Sequence, residues 1–299
     1  MKKVIVTGGS GFIGTKLVEA LLSKGYEIVI LDITYPKIVH EHLLYIPCDL
    51  TKGEIPVTIF EDAYGVIHLA GRLIFGRWTK EFKEDIYTSR VVSTRRLVEV
   101  FRKTQKKPRV FISASAVGFY GDTKNELVNE IHEHGSDFLS IVCNFWESEA
   151  KYAEPIGPRT VQIRTAHVLG KGGLIKEVSR PFRFFVGGWF GNGKNWFPWV
   201  HYKDLVNIYI KALEDEKMHG SFNTAAPEKV TQKEFMKVLG RVLQSPAWVP
   251  IPLFIVRFVY KSFADILVVS QKIDSTKIIS SGFTFEYPKL KEAIEDVLK

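Results

Sequence analysis

The chain has 299 residues, of which 45% are hydrophobic and 25% charged, with a formal net charge of +8 and a pI of about 9.2. These proportions are typical of a folded globular protein and exclude an intrinsically disordered chain. The basic residues are scattered, without the concentrated basic face and recognisable module of a nucleic-acid reader, so we expect no nucleic-acid partner.

Cysteine content and apolar segments exclude further classes of protein. The two cysteines, Cys48 and Cys143, provide neither a disulfide framework nor a zinc motif, and we expect no metal site. The first predicted strand begins at residue 3 with no signal peptide before it, which favours a cytoplasmic location. The longest apolar stretch, residues 248–270, contains three charged residues. We interpret it as a buried helix and expect no membrane partner.

The first thirty-two residues have the order strand, glycine turn, helix, strand and acid. Residues 3–6 form a β-branched run, and residues 15–22 carry apolar side chains at helical spacing. Residues 27–31 form a second apolar run, which ends at Asp32. This order is the context that a dinucleotide-binding glycine motif requires.

The glycine turn has the spacing Gly-x-x-Gly-x-x-Gly at Gly8, Gly11 and Gly14. These glycines permit a tight turn, a close approach of the backbone to a pyrophosphate, and close packing of the helix on the strand. The helix N-terminus offers unpaired N–H groups to phosphate. The turn therefore predicts a dinucleotide site; the alternative is a glycine-rich turn in an ordinary α/β domain. The spacing resembles that of the extended short-chain dehydrogenase/reductase (SDR) superfamily.

Asp32 bears on which dinucleotide binds. In NAD-binding members of that superfamily, an acid at this position binds the ribose hydroxyls and repels a 2′-phosphate. Asp32 therefore favours NAD(H) as the cofactor. Lys37 lies five residues further on and could reach a 2′-phosphate, so NADP(H) remains an alternative.

The rest of the chain alternates strands with helices, which predicts a parallel sheet. Further strands are predicted at residues 43–48, 65–71, 108–112, 159–165 and 221–225. Helices are predicted at residues 78–103, 138–153, 205–213, 231–243, 253–269 and 288–298, with Asp204 as the cap of the helix at 205–213. The predicted fold class is α/β: a Rossmann-type doubly wound parallel sheet of about seven strands with a smaller C-terminal α/β substrate region.

Residues 172–199 differ in character from the rest, because glycines alternate there with aromatic residues. This composition predicts a mobile, aromatic-lined loop region over a cleft; the alternative is a lid packed permanently on the sheet. We assign residues 1–170 to an NAD(P)-binding Rossmann domain, to which residues 200–226 return. Residues 171–199 and 227–299 form the predicted substrate and lid region.

Two stretches that follow strands resemble cofactor-binding elements of extended SDRs. The resemblance implies that Asp49 and Leu50 bracket the adenine, although Asp49 could instead cap the backbone at Thr51. Leu69-Ala70-Gly71 resembles the element that passes backbone close to the cofactor, and His68 before it is expected to be a core histidine. The expected cofactor contacts are Gly8, Gly9, Ser10, Gly11, Phe12, Ile13, Gly14, Asp32, Asp49, Leu50, Leu69, Ala70, Gly71, Ser113 and Arg164.

Motifs along essentially the whole chain narrow the resemblance to the YfcH-like sugar-epimerase subfamily of atypical SDRs. They include Ser89-Arg90, residues 113–121, residues 143–147, residues 191–201 and residues 282–288. The resemblance implies a Rossmann domain with a smaller C-terminal substrate region. Members of this group carry Thr-Arg after the second strand, which suits NADP(H), whereas this chain has Asp32-Ile33 there.

Catalysis by SDR enzymes needs a Ser that orients the substrate oxygen, a Tyr acid/base, and a Lys four residues after the Tyr. The Lys is needed because an unperturbed Tyr titrates at about pH 10. The resemblance places Ser115 at the Ser position. The helix at 138–153 carries Cys143-Asn144-Phe145-Trp146-Glu147 where the Tyr and Lys belong. The chain therefore departs from the SDR pattern at its acid/base.

Three residues are candidates for the missing acid/base. Tyr120 and Lys124 have the Tyr-x-x-x-Lys spacing, but Tyr120 belongs to the loop after strand five and a turn follows it. Cys143 is a candidate proton donor or a small core residue, and burial would raise its pKa. Glu147 is a candidate acid/base with a raised pKa, or a solvated helix residue.

Two functions follow from these motifs. The first is an NAD(P)-dependent oxidoreductase or epimerase of the extended SDR type with a non-standard acid/base, whose small-molecule substrate could be a nucleotide sugar. The second is a non-catalytic dinucleotide-binding sensor or scaffold. Ser115 and the aromatic region favour the enzyme, and the missing Tyr and Lys favour the sensor.

The sequence leaves the ligands beyond the cofactor open. Arg72, Arg77, Arg183 and Lys194 could bind an anionic group or could be solvated. By analogy with extended SDRs, a homodimer through the helices at about 80–103 and 138–153 is expected.

Overall fold

The structure is a computed structural model that describes residues 1–184, 187–260, 264 and 268–299. The strands are β1 (Lys3–Thr7), β2 (Glu27–Asp32), β3 (Leu43–Pro47), β4 (Gly65–His68), β5 (Val110–Ala116), β6 (Leu127–Val128), β7 (Arg159–Thr165), β8 (His167–Leu169), β9 (Gly187–Phe190), β10 (Trp199–His201), β11 (Gly220–Thr224), β12 (Ala247–Ile251) and β13 (Lys272–Ile273). The helices are α1 (Phe12–Ser23), α2 (Lys80–Tyr87), α3 (Ser93–Lys103), α4 (Phe138–Lys151), α5 (Gly173–Ser179), α6 (Tyr202–Glu214), α7 (Gln232–Val242), α8 (Leu253–Tyr260), α9 (Thr276–Ser280) and α10 (Leu290–Leu298).

The central sheet contains seven strands in the order β11-β7-β5-β4-β1-β2-β3, and every neighbouring pair is parallel. All seven strands predicted for it are confirmed. The order reverses between β1 and β4, where doubly wound sheets open a ligand crevice at the carboxyl ends of the strands. The register aligns Thr7 with His68, His68 with Ser113, and Ser115 with Arg164. Candidate site residues of four strands are therefore brought to one edge of the sheet.

The sheet is buried on both faces, which explains why its strands are continuous apolar runs rather than alternating ones. Val4 and Val6 of β1 pack with α1 and α6, whereas Ile5 between them packs with α3 and α4 on the other face. All three side chains are fully buried. Helices on the two faces thus fix the sheet that carries the site.

The helix predicted at 78–103 is interrupted. It consists of α2 and α3 joined by a π-turn at Thr88–Val92. A π-turn widens the helix by one residue and is frequent at functional sites. The interruption places Ser89 and Arg90 beside the carboxyl end of β4, where Ser89 Oγ accepts a hydrogen bond from the backbone N–H of Arg72.

The prediction of an aromatic-lined loop over 172–199 is wrong for most of that stretch. Phe182, Trp189, Phe197 and Trp199 are buried in a second core, which they share with α5, α7 and α10. The stretch also contains β9, which pairs with β12. Large aromatic side chains are drawn into this core by the apolar area that they bury. Phe185 lies outside the described residues, and the division into two domains remains a prediction.

The apolar stretch at 248–270 is not the buried helix that the sequence predicts. Its described part consists of β12 and α8, and the exposed fractions of Trp248, Phe254 and Phe258 are 65%, 73% and 84%. Residues 261–263 and 265–267 of the predicted helix lie outside the described residues. No helix in the described part of the chain combines the length and apolarity needed to cross a bilayer.

Asp204 does not cap α6 as predicted. That helix begins at Tyr202, and its N-cap is His201, whose Nδ1 accepts a hydrogen bond from the backbone N–H of Lys203. The fully buried Asp204 carboxylate instead accepts hydrogen bonds from the backbone N–H groups of Glu286 (2.7 Å) and Tyr287 (3.1 Å). Asp204 therefore fastens the C-terminal segment to the helix that covers the Rossmann sheet.

Replacing Asp204 by alanine is expected to destabilise the protein strongly. Hydrogen bonds to charged groups contribute about 1.5–3 kcal/mol each, so Asp204→Ala should lower the free energy of unfolding by about 3 kcal/mol. Urea unfolding followed by circular dichroism measures the change. Glu216→Ala removes an exposed acid after the same helix and should change it by less than about 0.5 kcal/mol. Equal unfolding midpoints for the two variants would contradict this role.

Candidate functional site

The glycine turn between β1 and α1 is packed so closely that side chains are excluded from it. Gly8 has φ of 70°, and a Cβ on Gly14 would lie 2.2 Å from the carbonyl oxygen of Gly8. The helix begins after Gly11, and no side chain caps its first turn. Its first N–H groups are therefore available to an anion, as a dinucleotide pyrophosphate requires.

A groove of about 650 Å³ runs along the carboxyl ends of β1, β2 and β4 beside this turn. Nine of the expected cofactor contacts line it: Gly8, Ser10, Gly11, Asp32, Asp49, Leu50, Leu69, Ala70 and Gly71. The groove residues therefore fit the dinucleotide that the glycine turn predicts.

The other expected contacts do not line the groove. Gly9 packs against Ile30, and Phe12 packs beside Gly170. Ser113 is fully buried, and Arg164 belongs to a separate buried network. The last two expected contacts outside the groove are Ile13 and Gly14, whose backbone N–H groups belong to the uncapped first turn of α1.

Asp32 is held in place at one end of the groove. Its carboxylate accepts hydrogen bonds from the backbone N–H groups of Ser10 (3.0 Å) and Thr34 (3.1 Å). Lys37 is exposed and is not among the groove residues. Asp32, the acid predicted to favour NAD(H), therefore lines the groove, and Lys37, the alternative reader of a 2′-phosphate, does not.

Asp49 makes the backbone contact that was one of its two predicted roles. It lines the groove, and its Oδ1 accepts hydrogen bonds from the backbone N–H and the hydroxyl of Thr51. Burial raises the pKa of this carboxyl, but the bonds from Thr51 and the nearby Lys52 outweigh burial and lower it. Asp49 therefore caps the backbone at Thr51 and lines the groove, and its contact with the adenine remains a prediction.

Sequence reasoning missed several groove residues, which come from the end of β2, the loops after β2, β3 and β4, and the segment from α2 through the π-turn to the start of α3. They are Leu31, Ile33, Thr34, Cys48, Thr51, Lys52, Leu73, Asp85, Thr88, Ser89 and Ser93. No motif marks them, except that Ser89 is one half of the Ser-Arg pair. Of the four basic residues proposed to meet an anion, only Arg72 lines the groove, where it pairs with Asp85 at 3.4 Å.

Ser115 and Glu147 are joined by a direct hydrogen bond. Ser115 Oγ donates to Glu147 Oε1 at 2.7 Å, and the two side chains are 3% and 2% exposed. Arg164 binds both carboxylate oxygens of Glu147 at 2.8 Å, through Nε and one terminal nitrogen. Glu147 is thus not a solvated helix residue but the centre of a buried network.

The bidentate ion pair explains how a charged pair is tolerated inside the protein. A buried charge costs several kcal/mol unless it is paired and its remaining hydrogen bonds are made. Ser221 Oγ donates a further hydrogen bond to Glu147 at 2.9 Å. Arg164 also lies over the ring of Phe119, 3.6 Å from its centroid. The pair places a positive charge on β7, opposite Ser115 in the sheet register.

Tyr120 is part of the same network but does not have the arrangement of an SDR acid/base. Its hydroxyl donates to Asn223 Oδ1 at 2.7 Å and accepts from Arg164 at 2.8 Å. Burial raises its pKa to about 12, although Arg164 opposes the change. Lys124 has φ of 51° in a turn outside any helix, so the two side chains do not share a helix face.

Cys143 is a buried core residue of α4, at 5% exposure. Burial, together with the charge of Glu147, raises the pKa of its thiol to about 12, and Arg90 opposes the shift. His68 is fully buried between Thr7 and Ser93, and burial lowers its pKa to about 3, with Arg90 adding to the effect. His68 is therefore a neutral core histidine.

Within the part of the chain that the structure describes, no cluster of three or more His, Cys, Asp or Glu side chains is placed to hold a metal ion.

Breaking the buried ion pair from one side should destabilise the fold more than removing both charges. Arg164→Met leaves the carboxylate of Glu147 buried and unpaired, so a loss of about 3–5 kcal/mol in the free energy of unfolding is expected. The double variant Glu147→Gln/Arg164→Met should recover part of that loss. Chemical unfolding of both variants measures the difference, and Arg102→Met, an exposed arginine of α3, is the matched control. An Arg164→Met variant as stable as this control would show that the pair is not desolvated.

Comparison with known proteins agrees with the geometry of the fold and groove. Residues 4–225 match the NAD dependent epimerase/dehydratase family, and residues 251–297 match a domain of unknown function, DUF1731. The epimerase family protein YfhF of Bacillus subtilis is 33% identical over 296 residues, which cover 99% of this chain and 97% of the relative. The chloroplastic SDR39U1 homolog of Arabidopsis thaliana is 33% identical, over 99% and 86% of the two chains.

Solved structures give the same assignment. The crystal structure of human epimerase family protein SDR39U1 with NADPH aligns with a TM-score of 0.87 and 28% identity, over 99% of this chain and 98% of that one. UDP-glucose 4-epimerase of Thermotoga maritima with UDP-glucose shares the fold, with a TM-score of 0.82 and 21% identity over 99% and 97% of the chains. The seven-stranded Rossmann sheet, the NAD(P)-type groove and the family match over 4–225 together show that the chain belongs to the NAD-dependent epimerase/dehydratase family, within the extended SDRs.

Proposed function

We propose that the protein is an NAD-preferring oxidoreductase or epimerase of the extended SDR type that acts on a small-molecule substrate in the cytoplasm. The observation that carries the proposal is the groove, in which the N-terminus of α1 has no side-chain cap and two backbone N–H groups hold the carboxylate of Asp32. NAD(H) is preferred because a 2′-phosphate at this end of the groove would face Asp32 and Asp49. Human SDR39U1 was solved with NADPH, so the preference is a property proposed for this chain and its Asp32.

The bound nicotinamide would supply the hydride chemistry, and the protein would supply orientation and the path of the proton. Because the proton of Ser115 is directed at Glu147, the free lone pairs of Ser115 Oγ can accept a hydrogen bond from a substrate hydroxyl. When that hydroxyl is oxidised, its proton passes to Ser115, and the Ser115 proton passes to Glu147. Reduction reverses both transfers.

In this scheme Arg164 is a positioning residue. Its two bonds to Glu147 fix the carboxylate and so fix the direction of the bond from Ser115. The other two candidates are less suited to the role: Tyr120 already donates its hydroxyl proton to Asn223, and Cys143 is a buried thiol with a raised pKa. A nucleotide sugar is the proposed substrate class, since fold relatives were solved with UDP-sugars.

The second candidate function is a dinucleotide-binding sensor or scaffold. It is favoured by one observation: the α4 positions expected to carry Tyr and Lys carry Cys143 and Glu147. Both functions need the same cofactor groove, and they differ in whether Ser115 takes part in turnover. A homodimer remains a prediction for either function.

Cofactor preference is tested by titrating the protein with NADH and with NADPH while following tryptophan quenching. NADH is expected to bind more tightly, and Asp32→Ala should weaken it about tenfold, because a charge-assisted hydrogen bond contributes about 1.5 kcal/mol or more. The same variant should bind NADPH no less tightly than before. Glu27→Ala, at the other end of the same strand, is the control and should change neither affinity. Preference for NADPH would overturn the role given to Asp32.

The proposed chemistry is tested by screening oxidation of NADH against carbonyl compounds and nucleotide sugars. Ser115→Ala and Glu147→Gln are each expected to lower turnover at least about a hundredfold while NADH affinity is retained, as general acid/base contributions imply. Turnover that is unchanged in Ser115→Ala would remove Ser115 from the reaction. Tight NADH binding without turnover of any compound would favour the sensor.

A further inference from the structure

Arg90 is a positively charged residue that has no partner of opposite charge in the described part of the chain. It lies in the π-turn between α2 and α3 and is partly buried. Burial lowers the pKa of its guanidinium group. Its hydrogen bonds are both long: Nη1 lies 3.4 Å from the carbonyl oxygen of Ile86 and 3.5 Å from Ser89 Oγ.

Two other arginines of this protein, the buried Arg164 and the exposed Arg95, are paired with carboxylates. Arg164 binds Glu147 through two hydrogen bonds, and Arg95 binds Glu149 at 2.6 Å. No carboxylate among the described residues forms an ion pair with Arg90. An arginine cannot become neutral by losing a proton, so an unpaired one that is partly desolvated costs free energy as long as no anion is present.

A second unsatisfied donor lies beside Arg90. The indole Nε1 of Trp146 is buried and has no hydrogen-bond partner, whereas most buried N–H groups of proteins have one. The guanidinium carbon of Arg90 is 5.3 Å from the centre of the Trp146 ring. The cation–π contact offsets part of the cost of the charge but provides no acceptor for the indole N–H, and only Nη1 of the guanidinium has acceptors among the described residues. The charged guanidinium of Arg90 and the neutral indole N–H of Trp146 are both donors of the kind that bind an oxyanion.

The position of this pair separates it from the part of the groove that fits the cofactor pyrophosphate. A Cβ on Gly71 would come 3.3 Å from the Arg90 guanidinium carbon, so the guanidinium lies directly beside the backbone of Gly71, a groove residue. Gly71, Ser89 and Ser93 line the groove, and Trp146 lies on α4 one residue before Glu147. The pyrophosphate has its own N–H donors at the N-terminus of α1.

We propose that Arg90 and Trp146 form an anion subsite that binds a carboxylate or phosphate group of the substrate beside the candidate reacting residues. The inference rests on the proposed function in taking the rest of the groove as the cofactor site. It adds that the substrate carries an anionic group close to the reacting carbon, and it assigns the recognition of that group to the π-turn. Oxyanions of both kinds match the guanidinium fork and the indole N–H.

The subsite is tested by thermal unfolding of NADH-saturated protein in potassium phosphate or potassium malonate, with ionic strength held constant by potassium chloride. The wild-type melting temperature should rise by about 2 °C or more as the anion saturates the site. Arg90→Met should abolish the rise. Without added anion this variant should melt at the same temperature as the wild type or higher, because it removes an uncompensated charge. Trp146→Phe keeps the ring and loses only the N–H, and should weaken the response.

Arg72→Met is the matched control, since Arg72 lines the same groove but is already paired with Asp85. It should keep the response to the anions. A response retained in Arg90→Met, or absent from the wild type, would overturn the subsite. So would an Arg90→Met variant that loses NADH affinity together with the response, because the anion bound would then be the cofactor pyrophosphate. If the wild type binds no NADH, the proposed function fails, and the same anion series on the free protein still tests Arg90.

Discussion

The cofactor groove depends on a close backbone packing constraint where α1 meets the carboxyl ends of β1 and β4. A Cβ on Gly8 would lie 2.7 Å from the backbone nitrogen of Ala70, and one on Gly14 would lie 2.2 Å from the carbonyl oxygen of Gly8. Backbone therefore contacts backbone, and no side chain separates the helix from the two strands. The groove, the uncapped helix N-terminus and the placement of Asp32 opposite Ser10 all follow from this contact.

The buried network around Glu147 contains a positive charge, although the lysine of the SDR pattern is absent from this chain. The resemblance to SDRs places a lysine on α4, where this chain has Glu147. Arg164 supplies a positive charge from β7 instead, and the two side chains neutralise one another. The result is a site of opposite polarity: Ser115 faces an acceptor rather than a cation. That reversal makes the proposed direction of proton transfer a consequence of the ion pair and not of a tyrosine.

The sheet could be predicted from sequence because its information is local. Each strand is a short apolar run, and both the glycine spacing and Asp32 lie within the first β-α-β unit. The errors have a different origin, since they concern side chains whose partners are distant in sequence. Asp204 binds backbone at Glu286 and Tyr287, and the aromatic residues of 172–199 find their core in α7 and α10. A turn-like composition could not reveal that core.

The part of the candidate site that recognisable sequence motifs form could be predicted. The groove is lined, as expected, by the glycine turn, Asp32, Asp49 and the residues after β4. The residues of the π-turn also line it, but they have no recognisable periodicity in the sequence. Ser115 and Glu147 were both candidates, but their hydrogen bond depends on strand register and helix rotation, which the sequence does not give.

Arg90 and Arg164 illustrate the same point in electrostatic terms. In sequence, each is an arginine with a mixture of apolar and hydroxyl-bearing neighbours, and nothing there distinguishes a structural role from ligand recognition. In the fold, one has a bidentate carboxylate and a full set of partners, and the other has two long bonds to neutral oxygens beside an unsatisfied indole N–H. A compensated charge stabilises the folded chain by itself, but an uncompensated one becomes favourable only when a ligand supplies the missing charge. This difference in compensation is a physical reason to assign Arg164 to the architecture of the site and Arg90 to its substrate.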